Sequence, residues 1–285
     1  MARSRRLLWD TARGLVRHRS AAVGLTVVLV LLLVALLAPI LAPHDPLLPR
    51  MRERLTPPTS RHLLGQDELG RDILSRIIFG ARISLTIGIV SVGVGLAIGV
   101  PWGLASGFYG GKLDILTQRS IDILLAFPPI LLAILVVTVL GPSLWNAMVA
   151  IGISSIPAYT RVVRGSTMTI RDAEYVQAAR AMGAANVRIL LRHVLPNVMG
   201  PVVVLSTLYT ASAILTAAGL GFLGLGAQAP TPEWGAMLSR GREYLRVAPH
   251  VSAFPGLAIF VSVLGFNLLG DGLRDALDPR LRGRV

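Results

Sequence analysis

Residues 83–107 read ISLTIGIVSVGVGLAIGVPWGLASG, a run with no ionisable side chain. A helix needs about 20 mainly apolar residues to cross the hydrocarbon core of a bilayer, so this run is long enough to span it. Gly95, Gly99, Gly103 and Gly107 recur every fourth residue and form a ridge without side chains along one helix face. Such small-xxx-small spacing lets a second helix approach closely without any hydrophobic driving force. The spacing therefore predicts a helix that is both membrane-spanning and tightly packed.

Outward from it, five more apolar runs of comparable length occur at 21–43, 123–140, 143–160, 198–229 and 251–270. Six spans define an all-α integral membrane protein. The third and fourth are separated only by Gly141-Pro142, a turn signal that predicts an antiparallel hairpin. The fifth is longer than a span requires and is expected to end in a bent or re-entrant piece near Gly221. The first is too long for a signal-peptide core, and Pro39 and Pro43 spoil a cleavage site, so it is read as an uncleaved helix.

The 285-residue chain has no Cys, 53% hydrophobic and 15% charged residues, and a mean hydropathy of +0.65. A water-soluble enzyme is excluded by that balance, and thiol chemistry by the lack of Cys. The five His residues show no close pair or HExxH spacing, so no metal site is expected. A net charge of +13 suggests nucleic acid only if the basic residues share one soluble face. Here they punctuate the apolar runs, 18 on the side of the termini and 10 on the other. The excess places both termini in the cytoplasm and excludes a nucleic-acid partner. The segments that follow are a cytoplasmic stretch 1–20, a first helix 21–43, an outer loop 44–82, a core 83–270 with a cytoplasmic loop at 161–197, and a tail 271–285.

No span holds a titratable group, so ion-coupled transport lacks its binding groups; Asp122, Arg161 and Asp271 lie only at span ends. Gly65 to Asp72 has glycine spacing resembling a phosphate loop but lacks the Lys and Ser/Thr, and its acidic residues repel phosphate. Gly219 to Gly224 fits GxGxxG inside a membrane run, where glycines serve a kink or close approach. Uphill transport by this chain must draw its energy from a partner. Hydroxyl and aromatic residues on the fifth span, Ser206, Thr207, Tyr209, Thr210 and Ser212, are candidates to line a path.

Two polar loops carry patterns. In the outer loop, Leu69, Ile73 and Ile77 recur at four, which predicts an amphipathic helix lying on the outer leaflet. In the cytoplasmic loop, Asp172 is expected to cap a short helix through Glu174, Gln177 and Arg180, Gly183 to break it, and Pro196 to close a second. Ala178, Ala179 and Ala181 make a smooth knob, suited either to a groove on another protein or to packing under the chain's own bundle.

The stretch Glu174-Tyr175-Val176-Gln177-Ala178-Ala179-Arg180-Ala181-Met182-Gly183-Ala184, with Arg192-His193-Val194-Leu195-Pro196-Asn197, resembles the EAA loop of ABC-importer permeases of the peptide and nickel subgroup. Leu64 to Arg76, Asp122 to Pro128, Gly221 to Gly226 and Gly270 to Arg280 are similar to further blocks of that subgroup, in order. Within it the chain resembles the C-type permease of dipeptide and oligopeptide systems. The resemblance implies the type I importer fold, a second related permease, two cytoplasmic ATPases that hold ATP and Mg, an extracytoplasmic solute-binding protein, and a bacterial or archaeal plasma membrane. It implies that Glu174, Tyr175, Gln177, Ala178, Ala179, Arg180 and Gly183 form the element that couples to an ATPase. Gln177 stands where the motif usually has Glu, and Ala217 where the subgroup often has Glu. Import of nickel through the same architecture is the nearest alternative, and a non-transporting scaffold is the alternative of another class.

Overall fold

The computed structural model describes residues 19–277, so most of the 1–20 segment and the end of the tail, with their charges, lie outside the described residues. Among the described residues the chain is helical with no strand. In order the helices are α1 (Arg19–Leu36), α2 (Ala38–Leu41), α3 (Ile73–Tyr109), α4 (Gly111–Leu125), α5 (Pro129–Leu140), α6 (Leu144–Arg171), α7 (Glu174–Ala181), α8 (Asn186–Ile189), α9 (Leu195–Phe222), α10 (Trp234–Gly241) and α11 (His250–Leu277). A π-turn over Leu190–Val194 joins α8 to α9, so that Asn186–Phe222 runs on as one helix.

The six expected spans come in a different form. By length and apolarity α1, α3, the 186–222 run and α11 can each cross a membrane. The 123–140 run is instead divided between α4 and α5, which meet at an 86° bend. Pro128 lacks an N–H and disfavours helical backbone at Phe127, so the ladder breaks there. The fourth run extends through α6 as far as Arg171, and its Asn146, Pro157 and three arginines leave it less apolar than a span.

The glycine ridge sets the closest packing. A Cβ on Gly99 would lie 2.6 Å from Tyr159 Cβ and 3.0 Å from Ile156 O, and one on Gly103 2.7 Å from Thr160 O. Gly95 meets Ser155 and Tyr159, and Gly107 meets Arg164 and Thr167. The neighbour of the ridge is thus α6 of the same chain. A second close pair joins α1 to α11: a Cβ on Gly24 would stand 2.8 Å from the Leu268 backbone, and one on Gly265 2.9 Å from Val27 Cβ.

The outer-loop helix is not present as expected. Asp72 caps α3 itself, its Oδ2 accepting from Ser75 N at 2.8 Å and Ser75 Oγ at 2.7 Å, so Ile73 and Ile77 open the long helix and Leu69 precedes it in a loop. Gly70 lies at φ +73° with its Cα against the Arg50 backbone, a conformation and a proximity that exclude helix. This loop is buried. Arg71 Nε donates to Asp67 Oδ2 at 2.7 Å, Arg71 Nη2 to Glu68 Oε1 at 2.9 Å, and Arg76 Nη1 to Pro46 O at 2.9 Å.

The fifth run stays helical through Gly221 and ends at Phe222, where the expected bend gives way to a turn; the chain then returns, and α10 packs between α9 and α11 with Trp234 reaching α3. Trp234 is 2% exposed, its ring filling the space left by Gly80 and its Nε1 donating to Ile77 O at 3.1 Å. Glu233 caps α10, accepting from Gly235 N at 2.8 Å and Ala236 N at 2.7 Å. Burial pushes the Glu233 carboxyl above its ordinary value, against those two hydrogen bonds.

Candidate functional site

Helix α9 presents Met199, Val203, Ser206, Thr207 and Thr210 to an open-sided groove of about 290 Å³, closed on its flanks by Leu96 of α3 and by Phe266 and Leu269 of α11. The positions recur at three and four, one face of a helix. Of the five path candidates, Ser206, Thr207 and Thr210 share this groove. Tyr209 turns toward α6, where its ring lies 5.5 Å from Tyr159, and Ser212 is exposed and does not line it.

The groove hydroxyls have spent their protons. Ser206 Oγ donates to Val202 O at 2.8 Å, Thr207 Oγ1 to Val203 O at 3.1 Å and Thr210 Oγ1 to Ser206 O at 2.8 Å. A hydroxyl bonded back to its own helix retains lone pairs, so the groove accepts hydrogen bonds and otherwise offers apolar contact. Such a lining tolerates many solutes and selects few.

Helix α7 packs beside the start of α9, in a core cluster with Val194, Val198 and the groove-lining Val202. Its N-cap is Ala173, with no side-chain cap, while Asp172 terminates α6 and receives a bond from Gln177 Nε2 to its carbonyl at 2.9 Å. The expected Asp172 cap is corrected accordingly. Pro196 also fails to close a segment: the π-turn at Leu190–Val194 comes just before it, and the helix runs on past it to Phe222. Gly183 does break α7, at φ +83°.

Helical periodicity divides the coupling candidates between two faces. Val176 and Ala179, 0% and 4% exposed, enter a core cluster with Phe108, Val163, Ile189 and Val194. Ala179 therefore anchors α7 to the chain's own bundle and is not part of an outward knob. Glu174, Tyr175, Gln177, Ala178, Arg180 and Gly183 are exposed, and Arg180 Cζ lies 5.7 Å from the Phe108 ring. The apolar residues beside them that sequence reading passed over are Met182, Val187 and Leu191, exposed at 82%, 62% and 60%. Their signal is apolarity inside a polar loop. Arg164 clamps α4 to α6 nearby, donating to both Asp114 oxygens at 2.6 Å.

The close His pair that is missing from the sequence spacing arises in the fold. Folding brings His44, His62 and Asp72 together within the outer loop, although they are 10 to 28 residues apart in sequence. Burial raises the Asp72 carboxyl, but hydrogen bonds from Ser75 and His62 outweigh it and hold it below its ordinary value.

This architecture defines the membrane-embedded half of a binding-protein-dependent importer: residues 99–283 match the family of binding-protein-dependent transport system inner membrane components, and the chain belongs to it. Residues 7–58 match the N-terminal TM domain of oligopeptide transport permease C. The glutathione transport system permease protein GsiD of Pectobacterium atrosepticum is 51% identical over 271 residues, 95% of this chain and 90% of that protein. The dipeptide transport system permease protein DppC of Alkalihalophilus pseudofirmus is 51% identical over 229 residues, 80% of this chain and 75% of that protein. In an inward-facing crystal structure of the MetNI methionine ABC transporter, a chain 21% identical superposes with a TM-score of 0.59, covering 72% of this chain and 98% of that one. That likeness concerns the fold. The protein is a multi-pass inner-membrane permease subunit, and permeases of this kind work with ATPase subunits and a partner permease.

Proposed function

We propose that this permease forms half of the pathway for short peptides in an ATP-driven importer, in the C-type position. The observation that carries peptide over nickel is the 51% identity to permeases named for glutathione and dipeptide transport, over as much as 95% of the chain. The groove chemistry supports it, because acceptor oxygens between apolar walls suit peptide N–H groups, and Ser206, Thr207 and Thr210 offer no ligand set for a bare metal ion. His44, His62 and Asp72 do not line this groove.

The exposed face of α7, with Gly183, Met182, Val187 and Leu191, is the docking surface for a cytoplasmic ATPase subunit; ATP and Mg are held by that partner. The termini then face the cytoplasm, and the 44–72 loop faces outward toward a solute-binding protein. A second related permease completes the pathway within the lipid. Work passes inward mechanically: α7 is held by Val176 and Ala179, and through the π-turn its neighbour α8 is continuous with the groove-lining α9.

The test is uptake of a labelled dipeptide, glutathione, a longer peptide and Ni²⁺ in cells with and without this chain, its partners being present. Loss of peptide uptake is expected. Loss of Ni²⁺ uptake alone overturns the peptide assignment, and unchanged uptake of all four overturns the transport role in favour of a scaffold.

A further inference from the structure

Three remote points of the outer loop converge. His44 follows α2, His62 sits in the turn closed by Thr59, and Asp72 caps α3. One ligand atom from each lies within 4.8 Å of the others. His62 Nδ1 is 2.9 Å and His44 Nδ1 3.7 Å from Asp72 Oδ1, and the two rings lie 4.5 Å apart at a tilt of 32°. A tetrahedral zinc ion, with N and O ligands at about 2.0–2.1 Å, sets its ligand atoms about 3.3 Å apart, between the two observed separations. Two ring nitrogens in this buried cluster, His44 Nδ1 and His62 Nε2, have no hydrogen-bond partner. Hydrogen bonding alone therefore leaves the cluster incomplete.

We propose that His44 Nδ1, His62 Nδ1 and Asp72 Oδ1 form a three-ligand site for a zinc-class divalent cation. The surroundings are those of a prepared site. Asp72 Oδ2 is fixed by Ser75 N and Oγ, so Oδ1 is presented in one direction. His62 Nε2 lies 3.9 Å from Glu53 Oε2, a distance too long for a hydrogen bond, and Glu53 is itself held by Gln66 Nε2 at 3.2 Å. A cavity of about 50 Å³ lined by the three ligands has room for a water as fourth ligand. Arg50 in its wall is 3.7 Å from Glu53, which offsets its charge. His44 also lines an open hollow of about 570 Å³, which gives the ion a route in. Two imidazoles and one carboxylate suit zinc better than calcium or magnesium, which prefer oxygen alone. The site shares no residue with the groove, so the ion is a clip that ties the loop to the start of α3 rather than cargo.

The test uses the full-length chain in detergent, purified on a tag without histidine and stripped with a chelator. Zn²⁺ is titrated by calorimetry and Co²⁺ by its visible d–d absorption. A single equivalent of Zn²⁺ is expected, with tetrahedral Co²⁺ bands that Zn²⁺ displaces. His44→Ala should weaken binding about 100-fold or more. His44→Phe keeps the ring contact with His62 without the nitrogen and carries the same expectation if His44→Ala does not fold. No stoichiometric binding by the wild-type chain, or undiminished binding by the His44 variants, overturns the proposal.

Discussion

Gly99→Ala and Gly93→Ala put the same methyl group on the same helix, and the structure gives them opposite signs. At Gly99 the new Cβ would stand 2.6 Å from Tyr159 Cβ, 3.0 Å from Ile156 O and 3.3 Å from Thr160 N. Two of these are backbone atoms of α6 that no rotamer change can move. Restoring a normal separation of about 3.6 Å parts α3 and α6 by about 1 Å at their closest point. Overpacking of this kind costs about 1–3 kcal/mol, and alanine returns about 0.5–1 kcal/mol through its greater helix propensity. The net loss is up to about 2.5 kcal/mol, which at about 2 °C per kcal/mol for a chain of this size lowers the midpoint by up to roughly 5 °C. At Gly93 nothing lies within 4 Å of the new Cβ, so only the propensity gain remains and the midpoint rises by about 1–2 °C. Thermal unfolding of the purified chain in detergent, followed by Trp fluorescence, separates the two variants. A Gly99→Ala protein as stable as Gly93→Ala would refute the close α3–α6 contact.

Trp234→Ala removes the side chain that fills the Gly80 notch and should cost about 3–5 kcal/mol, seen as a fall in folded yield and unfolding midpoint. Asp67→Ala strips the buried Arg71 and Arg76 of their shared carboxylate and should cost about 3–5 kcal/mol, whereas Glu243→Ala on the exposed surface should leave the midpoint unchanged within about 0.5 kcal/mol. At Gly183, φ +83° with open space around Cα, Gly183→Val should reduce peptide uptake while the chain still inserts, and Gly183→Asn should retain most of it, because Asn tolerates left-handed backbone.

What was legible in the sequence depended on local pattern. The runs at 21–43, 83–107 and 251–270 are legible because lipid demands length and apolarity, and the ridge from Gly95 to Gly107 because a period of four is visible in one dimension. The turn at Gly141-Pro142 announced the α5–α6 hairpin in the same way. Pro128 was an equally local signal for the 86° bend, but an uncharged Phe-Pro pair does not interrupt a hydropathy run. The Leu69, Ile73, Ile77 period misled, because Gly70 packs on the distant Arg50 backbone, a contact no local window contains. The division of α7 into a core face and an exposed face needs the position of Phe108 and Val163, and the meeting of His44, His62 and Asp72 needs the whole outer loop closed.

The π-turn at Leu190–Val194 acts as a phase shift in the long helix. Downstream, the buried residues Val194, Val198 and Val202 repeat every four, whereas Ile189 to Val194 takes five. One surplus residue has been absorbed there, since a π-turn lodges an extra residue within an otherwise α-helical ladder. Its removal would restore an unbroken ladder and rotate everything before it by about 100° around the helix axis. Tyr175, Met182 and Val187 would then point elsewhere while the groove stayed as it is. The orientation of the coupling surface relative to the pathway is thus adjustable in single-residue steps, by insertion or deletion, without alteration of either surface.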